Sequence, residues 1–456
     1  MGASADADPG AGGPIFGETE LQAIFGPFAG CVHIALAVSG GPDSTALLLL
    51  ARRWIDTLAQ GAPRITVLTV DHDLRQKSAA EASWVARLAG RIGFVHDTLL
   101  WKGQKPKTGV QAAARAARYD LMTGFCRERG FAALATAHTL DDQAETFVMR
   151  LARGSGVDGL AAMAAKSQRD GIDLLRPLLG VTRARLIEFL KAEGQDWIED
   201  PSNRDRTYER ARVREALHVA ENLGLTREML ALSAARLGRV REALETVTTQ
   251  FLAANLTMHP EGFGELSLKA LLDTPEEIAL RALARMVLAF GGQPAPTQLA
   301  KIEAAYEKLR KRPRTMTFGG CQFGLHRDRL TISREFGRMD LSAAELSPGA
   351  ALLWDKRFNV SLRPQTRKPA MVAPLGPEGL RTLTSAKGRL GPMPRAAALA
   401  LPSLWRESTL CFVPFATFDE DEPPGWLKHA GAEFANRPLL YGQPRSGGDE
   451  CEKMSN

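Results

Sequence analysis

Three short polar runs in the 456-residue chain carry side chains that do chemistry: Ser39-Gly40-Gly41-Pro42-Asp43-Ser44, Asp71-His72-Asp73 and His138-Thr139-Leu140-Asp141-Asp142-Gln143. Each directly follows an apolar stretch. In the first run, Gly40 and Gly41 remove Cβ atoms, so backbone N–H groups can approach phosphate oxygens. A helix starting just beyond would offer its N-terminal dipole to the same anion. No Gly-Lys-Ser/Thr closes the run, so it is not a Walker A loop. Near the third run, Asp142 and Glu145 stand at i and i+3 and share one helix face. Close to a helix N-terminus the dipole keeps them ionised, and a carboxylate pair can hold an amine. A plain capping turn uses the same residue types, and that reading stands beside the functional one. His72 and His138 are either proton carriers or satisfied hydrogen-bonding residues.

The elements that position these runs alternate. Val32–Val38, Ile65–Val70, Phe94–Leu100, Ala132–Ala137 and Ile172–Leu175 read as strands. Helical periods fill the gaps: a helix through Leu47–Leu50, then stretches over 78–92, 110–128 and 142–151, and one from an N-cap at Thr182 to a stop at Gly194. Such alternation predicts right-handed crossovers and an α/β, doubly wound parallel sheet. In that architecture ligands bind beyond the carboxyl ends of the strands, where strand order reverses. All three polar runs sit at such ends, so they should face one cleft.

Length suggests about three domains at roughly 150 residues each. The catalytic α/β domain is expected over 19–205, a mainly helical domain over 206–335, and a smaller C-terminal α+β domain over 336–441. A disordered leader (1–18) and tail (442–456) complete the scheme. The leader lacks a basic start followed by an apolar run, so it is no secretory signal. The greasiest stretch, Ala46–Ala51, is far too short to span a bilayer. Five dispersed cysteines (Cys31, Cys126, Cys321, Cys411, Cys451) contain no CxxC, which argues against a structural zinc or iron–sulfur site and fits a reducing cytoplasm. The net charge of +6 permits a polyanionic partner without demanding one.

The Ser39–Ser44 run, set between an apolar strand and an apolar helix, resembles the PP-loop of the N-type ATP pyrophosphatases, which split ATP between the α- and β-phosphates. Other segments narrow the resemblance: Val70-Asp71-His72-Asp73-Leu74-Arg75 with Ser78 and Glu81, Ala113–Tyr119, Leu134–His138, Asp141–Thr146, Arg150–Gly156 with Gly159-Leu160, Asp200–Asn203 with Arg210, and Gly319-Gly320-Cys321. Together these resemble the tRNA(Ile)-lysidine synthetases, densely over about residues 32–215, patchily to 335 and faintly beyond. Asp73 stands where that family usually has Gly, and Thr139 where a second His often follows.

The resemblance implies a two-step reaction on ATP, L-lysine and a tRNA(Ile) with a CAU anticodon. The cytosine C2 oxygen attacks the α-phosphate and releases pyrophosphate; the lysine ε-amine then attacks C2 and AMP departs. It also implies ATP contacts at Ser39, Gly40, Gly41, Pro42, Asp43, Ser44, Asp71 and Arg115, with Asp43 near Mg²⁺. Arg118 or Arg115 would bring charge to the α-phosphate, unless either simply lies on a solvated helix face. Asp142 and Glu145 would grip lysine and take a proton from it, with His138 in the same cleft. Phosphoryl chemistry of this kind needs positioning and positive charge more than covalent help.

Arg204, Arg206, Arg210, Arg212 and Arg214 form a basic run, as do Lys308, Arg310, Lys311, Arg312 and Arg314. Runs like these are commonly solvated faces, but an enzyme acting on a tRNA loop must neutralise phosphates, which makes them candidate contacts. Tyr208 and Trp197 could stack on splayed bases, Trp197 being better suited to a core. The target base must leave its stack to react. Among rival readings, a tRNA-thiolating enzyme needs cysteines beside the site, and a nucleotide sensor needs no carboxylate pair. Oligomeric state is left open, a dimer included.

Overall fold

The computed structural model describes residues 15–440 apart from 29, 59, 73–77, 104, 107, 200–208, 293–296, 312–313, 341, 419–424, 428 and 437–438. Residues 1–14 and the expected tail lie outside the described residues. Within the stretch expected to be a leader (1–18), Phe16 is 1% exposed and packs edge-on to Phe189, with ring centroids 5.5 Å apart. Helix α1 (Glu18–Phe25) begins just beyond it.

The chain forms two compact units that divide between Arg241 and Glu242. The first is built on strands β1 (His33–Ala37), β2 (Arg64–Asp71), β3 (Val95–Leu100), β4 (Ala133–Ala135), β5 (Lys166–Arg169) and β6 (Ile172–Leu175). Their order is β3-β2-β1-β4-β6-β5. Every pairing from β3 to β6 is parallel, and β5 adds an antiparallel edge that the strand pattern did not reveal. Strand order reverses beside β1, which has β2 on one side and β4 on the other. The crevice between the carboxyl ends of β1 and β4 is therefore the switch point.

Apolar faces fix the layers. Helices α2 (Pro42–Thr57), α3 (Ser78–Arg91) and α7 (Arg183–Ala192) cover one side of the sheet through Leu47, Leu50, Trp54, Val85, Leu88, Leu186 and Phe189. Helix α4 (Val110–Glu128) covers the other through Tyr119, Met122 and Cys126. Helix α5 (Leu140–Leu151) follows β4, and a short α6 (Val157–Leu160) comes next. A separate cluster joins Ala144 and Phe147 of α5 to Leu217 of α8 (Glu209–Glu221) and to Leu230 and Ala234 of α9 (Arg227–Asn255). That packing lays α8 against the carboxylate-bearing helix.

The stretch expected to be mainly helical carries helices over most of 209–311, with strands β7 (Thr257–His259) and β8 (Phe263–Ser267) set among them. They join β9 (Met316–Phe318), β10 (Cys321–His326) and β11 (Arg329–Arg334) in one antiparallel sheet, order β7-β8-β11-β10-β9. Gly319 and Gly320, both at positive φ, make the tight β9–β10 turn, and a Cβ on Gly319 would meet Val287 Cγ1 at 2.4 Å. Gly319-Gly320-Cys321 is thus a packing motif. Beyond Arg334 the second unit consists mostly of short antiparallel strands, including the sheet Ala344–Leu346, Ala370–Pro374, Pro402–Arg406 and Thr409–Phe412. No helix of the described chain is long and apolar enough to cross a membrane.

Candidate active site

The carboxyl ends of β1, β2 and β4 open onto one cavity of about 780 Å³. After β1 the chain makes a self-bonded loop. Ser39 N donates to Ser44 Oγ (3.2 Å), Ser44 Oγ donates to Gly41 O (3.0 Å), and Thr45 Oγ1 donates to Gly40 O (3.1 Å). Gly40 sits at φ +87°, where a side chain is strained, and its missing Cβ leaves room for Ile198 Cδ1 at 2.5 Å. Ile198 N also donates to Gly40 O at 2.8 Å. Gly40 is therefore glycine for backbone conformation and packing, whereas a Cβ on Gly41 would meet nothing closer than Ser39 Oγ at 3.8 Å.

The N-termini of α2, α5 and α7 border the cavity and differ in how they are satisfied. On α5, Thr139 and Asp142 form a capping box, with Asp142 Oδ2 accepting from Thr139 N at 2.9 Å. On α7, Thr182 caps Arg185 N and Asp141 Oδ2 accepts from Arg183 N at 2.8 Å. No side chain caps α2, whose first turn is preset by Pro42. Its amides and dipole are free to receive an external anion.

Opposite the loop the wall is a lattice of alternating charge. Glu145 is 2% exposed and accepts from Arg214 Nε at 2.5 Å and Nη2 at 3.3 Å. Arg210 Nη1 stands 3.9 Å from Asp142 Oδ1, Arg183 Nε 3.6 Å from Asp43 Oδ1, and Arg227 Nε 3.2 Å from Asp141 Oδ1. Burial pushes Asp43 up to about 6, with Arg183 opposing the shift and Asp142 and Asp141 adding to it. Burial likewise raises the Glu145 carboxyl, and the Arg214 hydrogen bond offsets only part of that. The dipole does not hold Glu145 ionised as the sequence suggested, because it lies in the second turn of α5, beyond the reach of the terminal amides. His138 Nδ1 pairs with Thr136 Oγ1 at 2.8 Å. Burial, then Arg115, Arg176, Arg210 and Arg118, hold its imidazole well below the ordinary value, so the ring is neutral near pH 7. Arg118 donates to His72 Nε2 (3.4 Å from Nε), and Arg115 lies over the Tyr119 ring at 5.4 Å.

A PP-loop domain family matches residues 17–221. The tRNA(Ile)-lysidine synthase of Ruegeria pomeroyi is 40% identical over 385 residues, covering 84% of this chain and 88% of that protein. Those of Bradyrhizobium diazoefficiens and Rhodopseudomonas palustris are 46% and 44% identical, covering 64% and 69% of this chain and 81% and 94% of theirs. The chain belongs to the tRNA(Ile)-lysidine synthase family.

For this lysidine synthase family member the cavity gathers most of the residues singled out in the sequence. Ser39, Gly41, Pro42, Asp43, Ser44, Arg115, Arg118, His138, Asp142 and Glu145 all line it. Gly40 and Asp71 stand behind the wall, Asp71 being 7% exposed at the end of β2. Arg210 and Arg214, grouped in the sequence with RNA-facing arginines, instead line the cavity and meet its carboxylates. Val213 and Leu217 pack toward α5 and carry the two arginines inward. Arg212 is exposed, while Arg204, Arg206, Arg312, Tyr208 and Asp73 lie outside the described residues. In the second basic run, Arg310 and Lys311 both pair with Glu307, at 2.7 and 2.9 Å. Trp197 packs against the core. The sequence reading passed over Arg183 and Arg227 and gave Asp141, though it lies in the third polar run, no separate role. The Thr182 cap was a signal for Arg183, since a helix following β6 starts at the same sheet edge as the loop.

Proposed function

We propose that this chain is the ATP-dependent ligase that joins L-lysine to C2 of the wobble cytidine in the CAU anticodon of tRNA(Ile), switching codon reading from AUG to AUA. One observation carries the reading: an uncapped helix N-terminus suited to phosphate and a buried carboxylate suited to an amine open onto the same cavity. ATP lies with its β- and γ-phosphates on the α2 amides and the Ser39–Ser44 loop. Asp43 fits a Mg²⁺ carried in by the nucleotide, since its Oδ1 is buried without a hydrogen bond and its carboxyl is pushed up by burial, with Asp142 and Asp141 adding to the shift. Among the described residues no cluster of three or more acidic, His or Cys side chains could hold a metal alone, as suits an ion that takes most of its ligands from phosphates and water. When bound, the ion would neutralise charge on the departing pyrophosphate.

Arg118, with Arg115, stands at the α-phosphate while the cytosine C2 oxygen attacks and the bond to the β-phosphate breaks. Lysine enters with its ammonium replacing Arg214 as the partner of Glu145, and Asp142 holds its α-amino group. Glu145, with its raised pKa, takes the ammonium proton; the amine attacks C2 and AMP departs. Neutral His138 contributes a hydrogen bond without adding charge. The exposed Arg212 and the later domains, over 206–335 and 336–441, grip the tRNA, and the reaction takes place in the cytoplasm. A thiolating enzyme is less well supported, because none of the described cysteines lines the cavity. The deciding experiment is mass analysis of tRNA(Ile) incubated with the protein, ATP, Mg²⁺ and labelled lysine. Labelled lysine on the anticodon cytidine is the expected product; unmodified tRNA with no pyrophosphate released overturns the proposal.

A further inference from the structure

Helix α7 sends two arginines, two residues apart, to different tasks. Arg185 is locked: it donates to Glu20 at 2.5 and 2.7 Å and to Ile15 O at 2.6 Å, and it covers the Phe16 ring at 4.2 Å. Arg183 is held only at its backbone, where its N–H donates to Asp141 Oδ2 at 2.8 Å. Its side chain lines the cavity and, among the described residues, makes a single ion pair, Nε to Asp43 Oδ1 at 3.6 Å, too long for a hydrogen bond. Asp43 belongs to the first turn of α2, so this guanidinium stands beside a helix N-terminus that, unlike those of α5 and α7, has no side-chain cap.

We infer that Arg183 is a pyrophosphate-positioning residue, which leaves Asp43 when nucleotide binds and clamps the β-phosphate and then the departing pyrophosphate. The geometry favours this exchange. The pair given up is long and makes no hydrogen bond, whereas a guanidinium can meet a phosphate with two parallel hydrogen bonds. The anchored backbone keeps the side chain in range, so the ordering cost falls on one flexible stem. In the resting cavity the same arginine screens a buried carboxylate that is otherwise short of partners. Arg214 and Arg210 face Glu145 and Asp142 instead.

This inference rests on the phosphate-cradle reading, and the probe that separates the two is magnesium pyrophosphate alone, titrated calorimetrically into the full chain. Wild type should bind it, Arg183→Ala should bind about 10- to 100-fold more weakly, and Arg183→Lys should fall between them. The tRNA affinity of both variants serves as the fold control and should match wild type. In turnover the inhibition constant of pyrophosphate should rise in Arg183→Ala by a similar factor, while the KM for lysine stays put. If wild type fails to bind pyrophosphate, the cradle itself is wrong. If wild type and Arg183→Ala bind it equally, the cradle stands and the role of Arg183 falls.

Discussion

The two walls of the cavity are organised in opposite ways. The wall after β1 is mostly local and finished: apart from the Ile198 N–Gly40 O bond, its loop hydrogen bonds join residues within five positions of one another, and α2 presents its amides ready for an anion. The wall on α5 is assembled over distance, its central bond joining Glu145 to Arg214 across 69 residues. It is also internally neutralised, each of Asp141, Asp142 and Glu145 standing opposite an arginine. The first wall receives its ligand on a backbone already in place, with only the Arg183 side chain changing partner. The second must exchange a resident cation for an incoming amine, so its binding energy is a difference between two pairings. A preorganised backbone therefore dominates the phosphate step, and exchange of a buried ion pair the amine step.

The contrast can be broken at several points. The largest effect is expected on the finished wall. Asp43→Ala should lower tRNA-dependent pyrophosphate release by about 10³-fold, the scale of losing a group that stabilises developing charge; normal release would remove Asp43 from the chemistry. On the other wall, Arg210→Ala and Arg212→Ala should separate. Arg212→Ala should weaken tRNA binding about 3- to 10-fold and reduce the salt slope by about one. Arg210→Ala should leave that slope unchanged and alter the KM for lysine. Matching tRNA titrations for the two variants would erase the distinction.

The smallest effect concerns stability without ligands. Because the carboxyl of Asp43 is pushed up to about 6, folding favours its protonated form. That stability is fully present below the unfolded value near 4 and is lost as pH rises through about 6. Asp43→Asn should therefore stabilise the nucleotide-free protein at pH 7 by on the order of 2 kcal/mol, with the gain fading below about pH 4. Equal melting temperatures at pH 7 would show that Asp43 is not strained in the empty cavity.

What could be read from the sequence follows the same division. Ser39–Ser44 was legible because its chemistry lies within six consecutive residues, and the strand and helix around it share that register. Helix α4 was legible to the residue because its period runs unbroken over Val110–Glu128. The destination of Arg210 and Arg214 was not, because the face α8 shows to α5 is set by Leu217 packing with Phe147, a contact between distant segments. Strands β7 and β8 escaped notice for a similar reason. They are only 3 and 5 residues long, and β8 is held by pairing with β11 through contacts such as Leu266 with Leu330. Asp142 shows both readings at once, capping its helix through Oδ2 while Oδ1 faces Arg210.

The account turns on the two walls serving successive steps of one reaction. Single-turnover assays with α-labelled ATP and labelled lysine, comparing wild type with Glu145→Gln, address this directly. The variant should load AMP onto tRNA(Ile) at close to the wild-type rate and then stall, with lysine transfer down about 10²-fold. A variant whose adenylation falls by the same factor as its lysine transfer, or one that transfers lysine at the wild-type rate, would contradict the assignment.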